Sequence, residues 1–194
     1  FVNGLVGLMA TGGSTNLVLH LPAMARAAGV ILDLEDFSDI SAVTPLMAKV
    51  YPNGLADVNH FHAAGGLQFM IANLLDAGLM HEDVKTVAGA GMSHYAKEPV
   101  MDDRGFHYRD GPTESHNDRI LRPASDPFAP QRGLVQRNGN LGRSVTKASA
   151  VANDRHIIKA PVPLFHDQHD AKLVCQAADL TTYNINSLLS PTPS

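Results

Sequence analysis

Apolar residues recur at helical spacing along the first part of the chain, and that periodicity fades after Gly91. Phe1 to Ala10 reads as a helix, with Gly4 and Gly7 leaving one face bare for close packing against another backbone. Gly12-Gly13 ends it. A second helix is predicted from about Thr15 to Ala28, with Leu17, Leu21, Met24 and Ala28 as its buried stripe, a kink or register change at Pro22 and a stop at Gly29. Val30-Ile31-Leu32 is a short strand or extended link. Asp33 stands as the N-cap of a short helix that buries Phe37 and Ile40. Val43 to Val50 predicts a further helical piece, closed by the turn-forming Tyr51-Pro52-Asn53-Gly54. Asp57 to Ala64 predicts a short helix, broken by Gly65-Gly66. Leu67 to Ala77 carries the plainest periodicity, with Leu67, Met70, Ile71, Leu74 and Leu75 on one face and Gly78 as its stop.

The rest of the chain carries short extended runs, and after Gly91 turn residues multiply. Val84 to Ala88 predicts a short buried strand, and Asp102-Asp103-Arg104-Gly105 the turn of a hairpin. Asp110 to Gln131, rich in Pro, Asp, Ser and Arg, reads as a long surface connection and a candidate domain boundary. Gly133-Leu134-Val135 and Arg143 to Lys147 predict strands around an Asn-Gly-Asn turn. Ile157-Ile158 and Pro161 to Phe165 continue a strand-rich region, and Asp167 to Ala178 predicts a last helix. The stretch from about Leu173 to Ser194 lacks amphipathic order, and both ends read as cuts rather than domain borders. The expected class is α/β, with residues 1–120 forming part of an α/β domain and 121–194 opening a β-rich one, off-pattern after about 172.

Composition narrows the function classes. Of 194 residues, 44% are apolar and 18% charged, a globular balance. A net charge of −4 argues against non-specific nucleic-acid binding, which needs a basic face. No apolar run reaches membrane-spanning length, and Val2 to Ala10 lacks the basic leader of a signal peptide. The single cysteine, Cys175, excludes an internal disulfide and a cysteine-only metal centre built by this chain alone. These features suit the cytoplasm.

The most informative stretch is Thr11-Gly12-Gly13-Ser14-Thr15-Asn16, directly before Leu17-Val18-Leu19-His20-Leu21. Small, flexible residues at a helix start leave backbone N–H groups free, and the helix dipole favours negative charge there. Such a tip suits a phosphate or a carboxylate. The commoner use of Ser14 or Thr15 is to cap the helix.

The run Met9 to Leu21 resembles the signature of the dihydroxy-acid dehydratase and 6-phosphogluconate dehydratase family. Ala64-Gly65-Gly66, Leu74 to Leu79, and Gly139-Asn140-Leu141-Gly142 with Lys147 follow in the family's order. Phe1 to Leu8, Tyr51 to Gly54, Asp57 to Phe61, His81 to Val84 and Gln168-His169-Asp170 are most similar to its 6-phosphogluconate branch. The match spans roughly residues 1 to 170. The resemblance implies a hydro-lyase that removes water from a sugar-acid phosphate in the Entner–Doudoroff pathway, working as a homodimer. It implies an iron–sulfur cluster as Lewis acid, with a divalent cation as a further candidate cofactor. The family's cluster cysteines fall before Phe1 and its proposed serine base after Ser194. The chain is therefore expected to be inactive alone. It would hold the C-terminal half of the cluster-binding α/β domain and the beginning of a β-barrel domain. A dihydroxy-acid dehydratase and a non-catalytic module are the alternatives.

Candidate substrate-binding residues are Gly13, Ser14, Thr15, Asn16, Lys147, His169 and Asp170. Lys147 could meet a phosphate or carboxylate, although an exposed strand lysine is the ordinary explanation. His169 and Asp170 lie in the cluster His166-Asp167-Gln168-His169-Asp170, whose simpler reading is a helix start capped by Asp167 or Asp170. His60 and His62 are two apart and do not share a helix face, which disfavours a metal pair. His20, one turn past the motif, either points toward a site or is buried and bonded to backbone, the second being the favoured expectation. Arg132, Arg137 and Arg143 are surface arginines with a possible part in phosphate binding.

Overall fold

The hydrophobic run at the start of the chain becomes the central helix. In the computed structural model, which describes residues 1–131, 133–140, 142–155, 157, 159, 165 and 167–177, α1 spans Val2–Thr11. It is apolar nearly all round, and Leu5, Val6, Leu8, Met9 and Ala10 are all buried. Leu5, Leu8 and Met9 pack with Phe37 and Leu134 on one side. Val6 and Ala10 join Met47, Phe61, Phe69, Met70, Leu74 and Leu121 on the other. The bare face at Gly4 and Gly7 meets the side chains of Leu21 and Met80 at ordinary distance, not another backbone. The close backbone approach is at Gly133, where a Cβ would stand 2.7 Å from the Met9 carbonyl.

α2 (Leu17–Ala27) runs through Pro22 and ends at Ala28-Gly29. Its covered row is Leu17, Leu21 and Ala25, each four residues from the next, with Ala25 fully buried. Met24 and Ala28 lie off that row and are exposed, contrary to expectation. α3 (Leu34–Val43) begins as expected. Asp33 accepts the amides of Glu35 and Asp36 at 3.0 and 3.2 Å, and Asp36 accepts that of Asp33. Phe37 is buried.

The helix expected over Val43 to Val50 does not form. Thr44 precedes Pro45, which holds it extended (φ −99, ψ 124), and α3 stops there. Thr44 to Ala48 is instead a buried extended segment. The amides of Met47 and Ala48 donate to the Ala10 carbonyl, and isolated bridges join Leu46 to Ala129 and Ala48 to Leu121. The same bridges correct the surface reading of Asp110 to Gln131. Leu121 is completely buried, and its polar neighbours conceal this in the sequence pattern.

α4 (Val58–Ala63) is capped by Asp57, and α5 (Gly66–Asp76) crosses the core with Phe69, Met70, Ile71 and Leu74 buried. Leu67, in the first turn, is exposed, and Phe69 is buried outside the expected face. Among the described residues the strands form three two-stranded antiparallel ribbons. β1 (Lys85–Thr86) with β2 (Gly89–Ala90) is a minimal one, and Val87 is fully exposed, so no buried strand exists over Val84 to Ala88. β3 (Lys97–Asp102) and β4 (Gly105–Asp110) make the expected hairpin, closed by the pair Asp102–Gly105. β5 (Val135–Gly139) and β6 (Gly142–Thr146) make the other, with Gly139 opposite Gly142.

Helices and small antiparallel ribbons make the chain a mixed α/β structure. Its contacts divide it into two compact units, Phe1–Asn153 and Asp154–Ser194. The second holds α6 (Gln168–Ala177), where a helix was expected. Expectations for Ile158, Pro161 to Leu164 and the chain after Ala177 lie outside the described residues.

Candidate functional site

The glycine-rich stretch is a junction between α1 and α2. Gly12 has φ 57, a left-handed conformation that glycine adopts without steric cost, and its amide and that of Gly13 close the end of α1 on Met9 and Leu8. Ser14, Thr15 and Asn16 are exposed, while Gly12 is buried. The expectation of a helix start with free amides needs correcting in detail. The Asn16 amide donates to Ser14 Oγ at 3.2 Å, and the amides of Leu17 and Val18 donate to the carbonyls of Ser14 and Thr15 at 3.1 and 3.0 Å. Ser14 thus has a local bonding role. The amides still open are those of Ser14 and Thr15, which meet no acceptor among the described residues.

The junction is braced from below by two residues that are not among the candidate site residues. Asn53 Nδ2 donates to the Gly12 carbonyl at 2.8 Å. Ser149 Oγ donates to Asn53 Oδ1 at 2.8 Å, with the Gly133 carbonyl 3.1 Å from the same hydroxyl. A Cβ on Gly12 would collide with the Asn53 amide group. The sequence shows Asn53 as part of a turn, Tyr51 to Gly54, that resembles the 6-phosphogluconate branch, and the Tyr51–Pro52 bond is cis. Only the fold brings it to the tip.

Lys147 is two residues before Ser149, immediately ahead of the short helical turn Ala148–Ala150. It is half-buried rather than an exposed strand lysine, and this burial pushes its ammonium below the usual lysine range. A lysine already stripped of some water gains more from an anionic partner than a fully hydrated one. Arg143, by contrast, is engaged with Glu35 in an ion pair, and Arg137 stands exposed on β5. Arg132 and His166 lie outside the described residues.

His169 and Asp170 occupy the first turn of α6 in the second unit. Their amides donate to Asp167 Oδ1 at 2.7 and 2.9 Å, so Asp167 is the cap. His20 is exposed rather than buried. His60 Nδ1 lies 2.7 Å from Asp57 Oδ1, and the His60 backbone amide is the chief cause that lowers the Asp57 carboxyl below its ordinary value. His62 lines a different feature, a cavity of about 210 Å³ shared with Gln68, Glu98, Arg109 and His116. There Arg109 donates to Glu98 at 2.7 Å, which balances the local charge. Among the described residues no three His, Cys, Asp or Glu side chains are grouped to hold a metal ion, and no helix is long and apolar enough to cross a membrane.

Comparison with known proteins adds what this geometry does not contain. Residues 1–95 match the family described as dihydroxy-acid/6-phosphogluconate dehydratase N-terminal. A phosphogluconate dehydratase of Pseudomonas aeruginosa is 51% identical over 179 residues, covering 92% of this chain and 29% of that protein. One from Escherichia coli is 50% identical over 169 residues, 87% of this chain and 28% of the relative. A dihydroxy-acid dehydratase of Roseiflexus castenholzii is 34% identical over 88% of this chain and 28% of its own length. The chain therefore spans less than a third of the length of these relatives.

Proposed function

Since the chain belongs to the dihydroxy-acid/6-phosphogluconate dehydratase family, we propose that it is a portion of a hydro-lyase converting 6-phosphogluconate to 2-keto-3-deoxy-6-phosphogluconate. The higher identity to the phosphogluconate relatives, 51% against 34%, favours the phosphorylated substrate over a dihydroxy acid. The observation that carries a role for this chain is the exposed Ser14–Asn16 tip with two open amides. Open backbone amides just ahead of α2 favour an anionic group, and the substrate carries a carboxylate and a phosphate. Gly13, Ser14, Thr15 and Asn16 contact one of them, and Lys147 adds a cation. His169 and Asp170 take part in substrate choice.

The chemistry sets further demands. Loss of water needs a base for the C2 proton and a Lewis acid for the C3 hydroxyl. An iron–sulfur cluster, the family's Lewis acid, needs several thiolates, and this chain has one cysteine. One cysteine does not fit a cluster, and the described residues gather no set of ligands for a divalent cation, so we assign those ligands and the base to polypeptide outside this chain. The role left to these residues is to bind and orient the substrate. In this reading residues 1–120 complete a cluster-binding α/β domain, and the β5–β6 hairpin begins a barrel. The assembled enzyme is a cytoplasmic homodimer.

The test is kinetic, in the full-length enzyme. Ser14→Ala should raise KM for 6-phosphogluconate roughly 2- to 12-fold, the equivalent of one hydrogen bond at about 0.5–1.5 kcal/mol. Unchanged kinetics would return Ser14 to a purely local role. Faster turnover of a branched dihydroxy acid than of 6-phosphogluconate would overturn the substrate assignment. The isolated chain should hold no stoichiometric iron and show no turnover.

A further inference from the structure

The bracing residues beneath the tip suggest a role beyond the proposed substrate contacts. Among the described residues, Asn53 is the one side chain that bonds both the glycine junction and the segment carrying Lys147. Its Nδ2 holds the Gly12 carbonyl and its Oδ1 accepts from Ser149, each at 2.8 Å. Ser149 also faces the Gly133 carbonyl at 3.1 Å, and Gly133 itself lies against the Met9 carbonyl of α1. The backbone N–H of Asn53 donates in turn to the Val50 carbonyl at 2.8 Å. Three stretches distant in sequence (the glycine junction, the Tyr51–Gly54 turn and the Lys147–Ala150 turn) are thereby tied at one point. The amide and hydroxyl are partly buried, so water competes poorly for these bonds.

We propose that Asn53 and Ser149 are positioning residues that hold the Ser14–Thr15 amides and the Lys147 segment in register for one anionic group of the substrate. This rests on the reading of the tip as a substrate-binding edge. Neither residue touches substrate. Asn53 sets the height of the Gly12 carbonyl, and the peptide planes of Gly13 and Ser14 follow from it. Ser149 fixes the rotamer of the Asn53 amide, since only its oxygen can accept from the hydroxyl, which turns the NH₂ toward Gly12.

Asn53→Asp keeps the shape, removes the donor and sets a carboxylate oxygen against the Gly12 carbonyl. In the full-length enzyme it should raise KM for 6-phosphogluconate about tenfold while kcat changes less than about twofold. Ser14→Ala should then add little in the Asn53→Asp background, because the tip is already out of register. Ser149→Ala should raise KM less, and Ser149→Thr, which keeps the hydroxyl, should restore it. If Ser14→Ala raises KM but Asn53→Asp does not, or if the two effects multiply, the positioning role is overturned and the tip reading survives. If neither Ser14→Ala nor Asn53→Asp changes KM, the tip reading itself fails; Ser14→Ala alone without effect leaves Ser14 a purely local role, because it keeps both backbone amides. Should Asn53→Asp not fold, the Ser149 pair decides: a KM rise in the alanine variant alone supports the proposal, and equal KM in alanine, threonine and wild type overturns it.

Discussion

Two glycine pairs in this chain each stand before an apolar helix, and the fold uses them in opposite ways. Gly12-Gly13 leads through three small polar residues to α2 and leaves Ser14, Thr15 and Asn16 exposed. Gly65-Gly66 leads directly into α5, both glycines are buried, and the helix carries Phe69, Met70, Ile71 and Leu74 into the core. Gly65 has φ 131 and would place a Cβ 3.0 Å from that of Phe69. One junction turns the chain within packed side chains. The other holds a short polar edge open above a hydrogen-bonded brace. What separates them in the sequence is the spacer, not the glycines.

The sharpest contrast is expected from α5. Leu74 is completely buried, so Leu74→Ala should cost about 2–5 kcal/mol of stability, read by chemical denaturation of the full-length enzyme. The surviving folded fraction should keep its KM. Gly65→Ala should cost about 1–3 kcal/mol, again without a KM change, because the backbone there is open to glycine alone. Gly12→Ala should cost about 1–2 kcal/mol for the left-handed conformation and, unlike Gly65→Ala, should also raise KM by displacing Asn53. Equal KM in the two glycine variants would erase the distinction drawn between the junctions.

Smaller effects concern titration. The Lys147 ammonium is disfavoured by burial, so it loses its proton at lower pH than an ordinary lysine. Its desolvation opposes folding wherever it is charged. That opposition is relieved as pH rises from the lowered folded value to the ordinary one. Substrate binding should follow the reverse course: KM should climb as pH passes the lowered value, and Lys147→Met should flatten that alkaline limb. The smallest change is at Asp57, whose lowered carboxyl favours the folded state above its ordinary value of 3.8. Helicity from α4 should decline as pH falls through the lowered folded value, and Asp57→Ala should remove that acid dependence from circular dichroism.

The local elements were largely legible. Asp33 and Asp167 cap helices as their sequence positions suggest, and the turn at Asp102–Gly105 closes its hairpin, because caps and tight turns depend on neighbouring residues. The apolar spacing of the extended run at Thr44–Ala48 also suits a helix, and the proline restriction at Thr44 decides between them. The burial of Leu121 was hidden by a polar surrounding and depends on pairing with Ala48, far away in sequence. The tip itself was visible in Gly12 to Asn16, but its brace was not. Asn53 and Ser149 are 96 residues apart, and neither carries a local signal of the bond between them.

The most direct measurement is a crystal structure of the full-length enzyme with 6-phosphogluconate bound. A substrate phosphate or carboxylate oxygen should lie within hydrogen-bond distance of the Ser14 or Thr15 amide, with the Asn53–Gly12 bond intact. A tip covered by the rest of the polypeptide, with both anionic groups of the substrate held elsewhere, would contradict the account.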